Sequence, residues 1–599
     1  MKIPSKNVAQ WCADIIGKCS ASRGDRIQRG AVYRNIYLTG TETGEPAVYP
    51  KTFAYIDNLS SYLYSPVELR FGIEKYGSST TADRAKASAA ASELHRYLRQ
   101  SNVDTQVEEA VIWALVKGKS FIKLLWSSDG FEPYLVQPEC MGVLREDLTT
   151  LDEQEAFYHS TYLTPERFAT LVENHPNRAE LLRKAEKYIH PANDSNNPDS
   201  NNALKQVIIG GLNPFRAAGS GKTRNRGMVD WLGGPSPTLS PDTLASILRL
   251  DELWVWDDDR NDYTVFQVIG NDILLEGELR HRNIVADAFD PDNPEKVMIP
   301  SGENPMTGHH PFIEVCPNKL AGYFWGRSEI CNIALLQAMI NNRIDGINKL
   351  LRRQENPPRM FLGGTGPTQQ QYAKANKPGG YLTDNSPGGK IQDLAPALPE
   401  GLWESLHEML GFYDDMAGFT PTLQGKGEKG VRAGGHSESL TKNASPRFKD
   451  RALTVERSVE SLGGLALDYL KVKDGQKLTA WVMPKEDSID VSVQPDPLLA
   501  EPPVAGMKAI EFTFAQLPSR CKVVVDSHSS SPAFSHETRG LLFDLYKAAA
   551  IDKKQLITHT DPPGSDSMLE DLVRAEISQQ QFAEAHPEEA AAQHSGKKR

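Results

Sequence analysis

The sequence predicts an α+β chain, and three observations carry that expectation. Apolar residues recur at helical spacing through residues 5–117. Runs rich in aromatic and branched residues at 120–126, 131–138, 252–258 and 263–270 carry the strand signal. A long amphipathic stretch through Ile333–Leu351 is helical again and stops at Pro357-Pro358, because proline lacks the N–H that would continue it.

The elements follow in order. Val8, Trp11, Ile15 and Ile16 share one face of one or two helices within 5–36. Phe53, Ile56, Leu59, Tyr62 and Leu63 share a face of a helix from Thr52 to Tyr64, closed by Ser65-Pro66. Residues 81–117 are helical with a break near Ser101-Asn102, and Gly118 ends them. SFIKLLW and FEPYLVQP then pair as a hairpin across Ser127–Gly130. Thr164 is placed to cap a short helix with Pro165 at its first position and Glu166 in its first turn. The polar run 191–202 cannot pack and reads as a surface loop within a long insertion. QVIIGG (206–211), ELWVWDD and YTVFQVIG are expected strands, the last two joined by a turn at Asp258–Asp262.

In the long helix, Ile333, Leu336, Ile340, Ile344, Ile347 and Leu351 step by three or four. Its polar side carries Asn342, Arg343, Asp345, Lys349, Arg352 and Arg353. Residues 356–399 are punctuated by Gly and Pro, with strand-like pieces at RMFLGG and GGYL. A helix over Gly401–Ala417 puts Leu402, Leu406, Met409 and Tyr413 on one stripe. Residues 418–436 hold six glycines in 19 positions, a composition that favours a mobile loop. Residues 437–473 are helical with a kink expected at Pro446. Short strands (LTAWVM, SIDVSV, CKVVVD) are expected within 478–526, and two or three helices within 535–583.

Composition narrows the function. The 599 residues correspond to about four domain-sized pieces. Lys plus Arg number 66 against 78 Asp plus Glu, a net charge of −12 with a pI near 5.7. Tight non-specific gripping of nucleic acid needs a basic surface, so that class is disfavoured. Six cysteines with no CxxC pair argue against a disulfide scaffold or zinc site and for a reducing compartment. No apolar signal core is expected at the N-terminus, and runs such as Ala110–Val116 fall far short of the ~20 residues that span a bilayer.

Sites of chemistry fail on spacing. Gly219-Ser220-Gly221-Lys222-Thr223 ends like a phosphate loop, but Arg216 stands where the first glycine belongs, and no helix pattern follows. Asp287, Asp290 and Asp292 lack the glycine and glutamate of a calcium loop. His536-Glu537 meets Gly540 where a second zinc-binding histidine would stand. His309-His310 precedes a strand and reads as structural. The expectation is a non-enzyme with no catalytic residue, metal or cofactor.

Four ordered blocks resemble a known family. They are FAYIDNLSSYLYSP; AVIWALVKGKSFIKLLW with GFEPYLVQPECMGVLRED; HPFIEVCPNKLAGYFWGRSEI with LLQAMINNRIDGINKLLRRQENPPRMFLGG; and DDMAGFTPTLQGKGEKGVRAGGHSESL with SPRFKDRALTVERSVESLG. In order and spacing, over about residues 50–475, the chain resembles the portal proteins of tailed bacteriophages, particularly those of short-tailed phages. The resemblance implies a portal fold assembled as a ring of twelve copies around a channel for double-stranded DNA at one capsid vertex. Its parts would be an N-terminal wing (1–326), stem helices (327–355 and 400–417), a clip (356–399) and a channel loop (418–436). A kinked wing helix (437–473), further wing strands (474–534) and a short crown with C-terminal tail (535–599) would complete it.

The resemblance further implies DNA packaging and ejection, with the packaging motor (terminase), capsid or scaffold protein and a head–tail adaptor as partners. The expected location is the virion, and the host cytoplasm during assembly, with no membrane contact. Candidate DNA-channel residues are Lys426, Lys429, Arg432 and His436 on the glycine-rich loop, and Arg343, Lys349, Arg352 and Arg353 on the long helix. Glu428 interrupts the loop's cations, which fits transient rather than tight contact with passing phosphates. The competing readings are a non-channel adaptor or scaffold protein, and a nucleotide hydrolase using the GSGKT segment.

Overall fold

The computed structural model describes residues 1–4, 7–44, 47–64, 71–75, 81–127, 130–163, 165–173, 177–191, 246–258, 262–271, 273–275, 310–355, 359–362, 390–393, 401–418, 446–473, 477–482, 508–517 and 521–525, with isolated positions elsewhere. Helices α1 (Val8–Cys19), α2 (Arg23–Thr39) and α3 (Lys51–Leu63) open the chain. Phe53, expected on the buried face of α3, is 41% exposed, though it stacks on Tyr37 with ring centroids 5.3 Å apart. Strand β1 (Phe71–Lys75) is followed by α4 (Thr81–Gln100) and α5 (Val103–Lys117), which break at Asn102 in the left-handed conformation (φ 51°). Gly118 ends α5 at φ 102°, and a Cβ there would lie 2.8 Å from the carbonyl oxygen of Trp325, so glycine is required twice over.

Strands β2 (Ser120–Ser127) and β3 (Gly130–Val136) form the expected hairpin. A 3₁₀ turn at Pro138–Cys140 leads to β4 (Met141–Val143) and β5 (Ala156–Leu163), neither expected from the sequence. Helix α6 (Pro165–Leu171) does start at Pro165, and α7 (Arg178–Ala185) follows it. After β6 (His190–Pro191), strand β7 (Ser246–Asp257) begins six residues before the expected ELWVWDD and pairs with β8 (Asp262–Ile269). Strands β9 (Ile273–Leu275) and β10 (Phe312–Val315) complete the N-terminal part.

The C-terminal half holds α8 (Ile330–Glu355), the ribbon β11 (Arg359–Leu362) with β12 (Lys390–Asp393), α9 (Leu402–Ala417) and α10 (Pro446–Lys473). The partner of RMFL is therefore KIQD; the GGYL stretch lies outside the described residues. The described part of α10 opens at Pro446. Residues 437–445, the expected helical segment before the kink at Pro446, lie outside the described residues. Strands β13 (Leu478–Val482), β14 (Lys508–Phe512) and β15 (Cys521–Val525) return to the beginning of the fold, where β15 pairs antiparallel with β1. Segments QVIIGG, SIDVSV, GSGKT, the Asp287–Asp292 turn, His536-Glu537 and most of 535–583 also lie outside the described residues.

The six-stranded sheet, β4-β5-β7-β8-β9 with β6 on β7, shows why ELWVWD is apolar almost throughout. Ala156, Tyr158, Leu253, Val255, Phe266 and Val268 face α1. Their neighbours Phe157, Trp254, Tyr263 and Val265 point the other way, onto Phe121 and Phe312 of the three-stranded sheet β10-β2-β3. Period-two alternation with both faces covered removes the usual polar side of an antiparallel sheet. Lys123 of β2 lies 2.9 Å from Glu252 of β7, and Trp254 Nε1 donates to the same carboxylate at 2.7 Å, so the buried charges are paired. His310, read as structural, is buried against Phe157 and Tyr263, with Nε2 3.0 Å from Asp152. Among the described residues no helix is long and apolar enough to cross a membrane.

A candidate assembly face on a helix pair

Helix α8 forms because its apolar stripe recurs every three to four residues, and that stripe seals the largest core. Ile330, Ile333, Ile340 and Ile347 are buried there, with Leu336, Ile344 and Leu351 half-buried beside them. Gln337 interrupts the stripe yet is fully buried. Its Oε1 accepts from the backbone N–H of Thr52 at 3.2 Å and its hydroxyl at 3.1 Å, and its Nε2 donates to Tyr49 O at 2.9 Å. A satisfied buried amide fixes the register of α8 against the start of α3.

Helix α9 lies antiparallel to α8. Near its end, Tyr413 donates to Thr52 Oγ1 at 3.2 Å, and Lys51 pairs with Asp414 at 2.7 Å. One turn further, Ala417 O accepts from Tyr55 OH at 3.0 Å, and the same hydroxyl donates to Glu329 just before α8. Burial pushes the Tyr413 and Tyr55 phenols well above their ordinary values, so both stay protonated donors. Gly401 and Gly418 flank α9 in the left-handed region, at φ 82° and 72°.

Glu329 is also the partner of Arg451 of α10 at 2.5 Å, and it accepts from Asn318 Nδ2 at 2.7 Å. This buried network ties together the start of α8, the end of α9 and the first turns of α10. A Cβ on Gly418 would meet the Phe448 ring at 3.4 Å, so α9 ends where α10 begins. Gly418 and the first turn of α10, which bound residues 419–445, therefore lie at one place on the body. Leu362 and Lys390, which bound residues 363–389, are likewise paired across β11 and β12.

The outer side of the pair is unusual. Leu335 (74% exposed) and Met339 lie four residues apart on α8, away from its buried stripe. Phe412 and Met416 repeat that spacing on α9, and Trp403 is exposed near its start. Isolated exposed apolar residues are ordinary, but repeated pairs of large ones on adjacent helices mark a surface made for contact. The charges are segregated too. Helix α8 carries Arg343, Lys349, Arg352 and Arg353 against Asp345 and Glu355, whereas α9 carries Glu404, Glu408, Asp414 and Asp415 and no lysine or arginine.

Of the expected channel residues, Lys349 and Arg352 are exposed and Arg343 is half-buried on α8. Lys349 pairs with Asp345 one turn earlier at 2.5 Å, a surface pair of little energetic weight. Arg353 belongs to the helix, but its side chain lies outside the described residues. Lys426, Lys429, Arg432 and His436 all lie outside the described residues. The exposed apolar pairs went unnoticed in the sequence. Their signal was an apolar face on LWESLHEMLGFYDDMA broader than the stripe of Leu402, Leu406, Met409 and Tyr413, and the doubled Leu335-Leu336. No protein-family model matches the chain, and no curated protein matches it.

Proposed function

We propose that this chain is a portal subunit, and that copies of it close head-to-tail into a ring around a channel that double-stranded DNA traverses. One observation carries the reading: an antiparallel helix pair with exposed apolar pairs and opposite charge bias on its two members. In a heterologous ring the α8 side of one copy meets the α9 side of the next, and the same contact repeats until the rotation closes. Basic α8 against acidic α9 fixes the direction of that contact, and the apolar pairs supply the driving force. The two excursions rooted on the pair fit the remaining parts of the resemblance. Residues 356–399 would be the clip that meets the motor and the adaptor, and 418–436 the loop that touches DNA. Acidic overall charge suits a channel through which DNA slides, with Lys426, Lys429 and Arg432 as transient contacts.

Negative-stain electron microscopy with native mass spectrometry tests the reading. The expected result is rings with a central hole and a mass near twelve times 66.3 kDa. A monomer at every concentration and salt overturns it in favour of an adaptor. Replacing Lys426, Lys429 and Arg432 together by glutamine is expected to alter packaging velocity; translocation at the wild-type rate would remove the loop from the mechanism.

A further inference from the structure

Between α2 and the loop that precedes α8 lies a cavity of about 290 Å³. Arg26, Arg29 and Tyr33 line it from α2, at spacings of three and four that place them on one helix face. Lys117 and Glu139 line it from the end of α5 and the 3₁₀ turn, and Arg327 from the loop before α8. Its charged lining is thus four cations and one carboxylate, in a chain whose net charge is −12.

The one carboxylate is already engaged. Lys117 Nζ lies 2.8 Å from Glu139 Oε1, with the two side chains 3% and 1% exposed. Arg26 is buried and stacks over Trp325 at 3.6 Å. Its Nη2 donates to Met141 O at 2.7 Å, while Nη1 donates to Ser22 Oγ at 2.7 Å and to Glu146 Oε1 at 3.2 Å. Its Nε is buried without a hydrogen-bond partner. Burial pulls both Arg26 and Lys117 below their ordinary pKa values, with Glu146 and Glu139 opposing the shift. Arg29 and Arg327 are exposed.

We propose that this cavity binds a small multivalent oxyanion of the phosphate class. Arg26 and Lys117 supply fixed charge in the wall, where burial strengthens attraction, and the exposed Arg29 and Arg327 supply charge-assisted hydrogen bonds. A concave lining of one sign concentrates counter-ions even on an acidic protein. This inference is independent of the portal reading, because the cavity lies within one copy of the chain.

The test is titration of inorganic phosphate into the full-length protein at constant ionic strength, held with sodium chloride, read by calorimetry and by thermal unfolding. Saturable binding and a rise in Tm that chloride does not reproduce are expected. The variant Arg29→Gln/Arg327→Gln alters only exposed side chains. It is expected to keep its circular dichroism and to bind phosphate about 100-fold more weakly, roughly tenfold per lost bond. An equal response to chloride, or wild-type affinity in the double variant, overturns the proposal. Binding by the dispersed chain but not by the assembled form also overturns it, and assigns the cavity to an acidic side chain of a neighbouring copy.

Discussion

Both faces of the six-stranded sheet are covered, by α1 on one side and by the aromatic layer of Phe121, Phe157 and Phe312 on the other. The α8–α9 pair is covered where α8 packs against α2, α3 and α5, yet it leaves Leu335 and Met339 of α8 and Phe412 and Met416 of α9 in solvent. Each region obeys the same rule, that large apolar residues leave water. The sheet satisfies it within one chain, whereas on the proposed reading the helix pair satisfies it against a second copy. The sheet should therefore respond to substitution as stability, and the outer side of the pair as assembly.

The strongest break in this comparison is Trp254→Ala, in the middle of the sheet. It removes the largest fully buried side chain and strips Glu252 of a donor, so a loss of about 3–5 kcal/mol is expected in urea unfolding. Next comes Arg451→Met, which leaves the buried Glu329 without its ion-pair partner where α8, α9 and α10 meet. A loss of about 3 kcal/mol is expected, largely recovered when Glu329→Leu is added, because an uncompensated charge costs more than an absent pair. The sharpest discrimination is Leu335→Gln with Phe412→Gln. Subunit stability should stay within ~0.5 kcal/mol of wild type while rings disappear from electron micrographs. Stability falling with assembly would mean that this face belongs to the fold of the single chain.

The smallest effect concerns Asp104, at the start of α5 beside the Tyr64 hydroxyl. Burial raises its pKa above the ordinary carboxylate value, with Arg99 and Tyr64 opposing that rise. The folded chain thus holds this proton to higher pH than the unfolded chain. Its contribution is fully present below the ordinary value, about 3.9, and is lost as pH rises through the raised one. Asp104→Asn should flatten stability against pH across that window, as measured by urea unfolding at stepped pH.

Periodicity made most helices legible. Ile333, Ile340 and Ile347 announced the buried stripe of α8, and Asn102 and Gly118 announced the boundaries of α5. Strands β4, β5 and β14 were missed, since three to eight residues without clean alternation carry little local signal. The proposed anion cavity draws Arg26, Arg29 and Tyr33 from one helix face, a spacing that the sequence carries but that drew no reading. Nothing in sequence order linked them to Lys117, Glu139 and Arg327.

The sequence by itself determined where the long helices and the aromatic-rich strands lie, because helical and strand spacing are local properties of the chain. It also set the charge of each element, basic in α8 and acidic in α9. Only the tertiary structure decided that residues 71–75 pair with 521–525, and that Gln337 is a satisfied register pin rather than a surface amide. Only it decided that Leu335 and Phe412 face water while Ile333 and Leu406 do not. Burial depends on what packs against a face, and contacts between residues hundreds of positions apart leave no periodic trace in the chain.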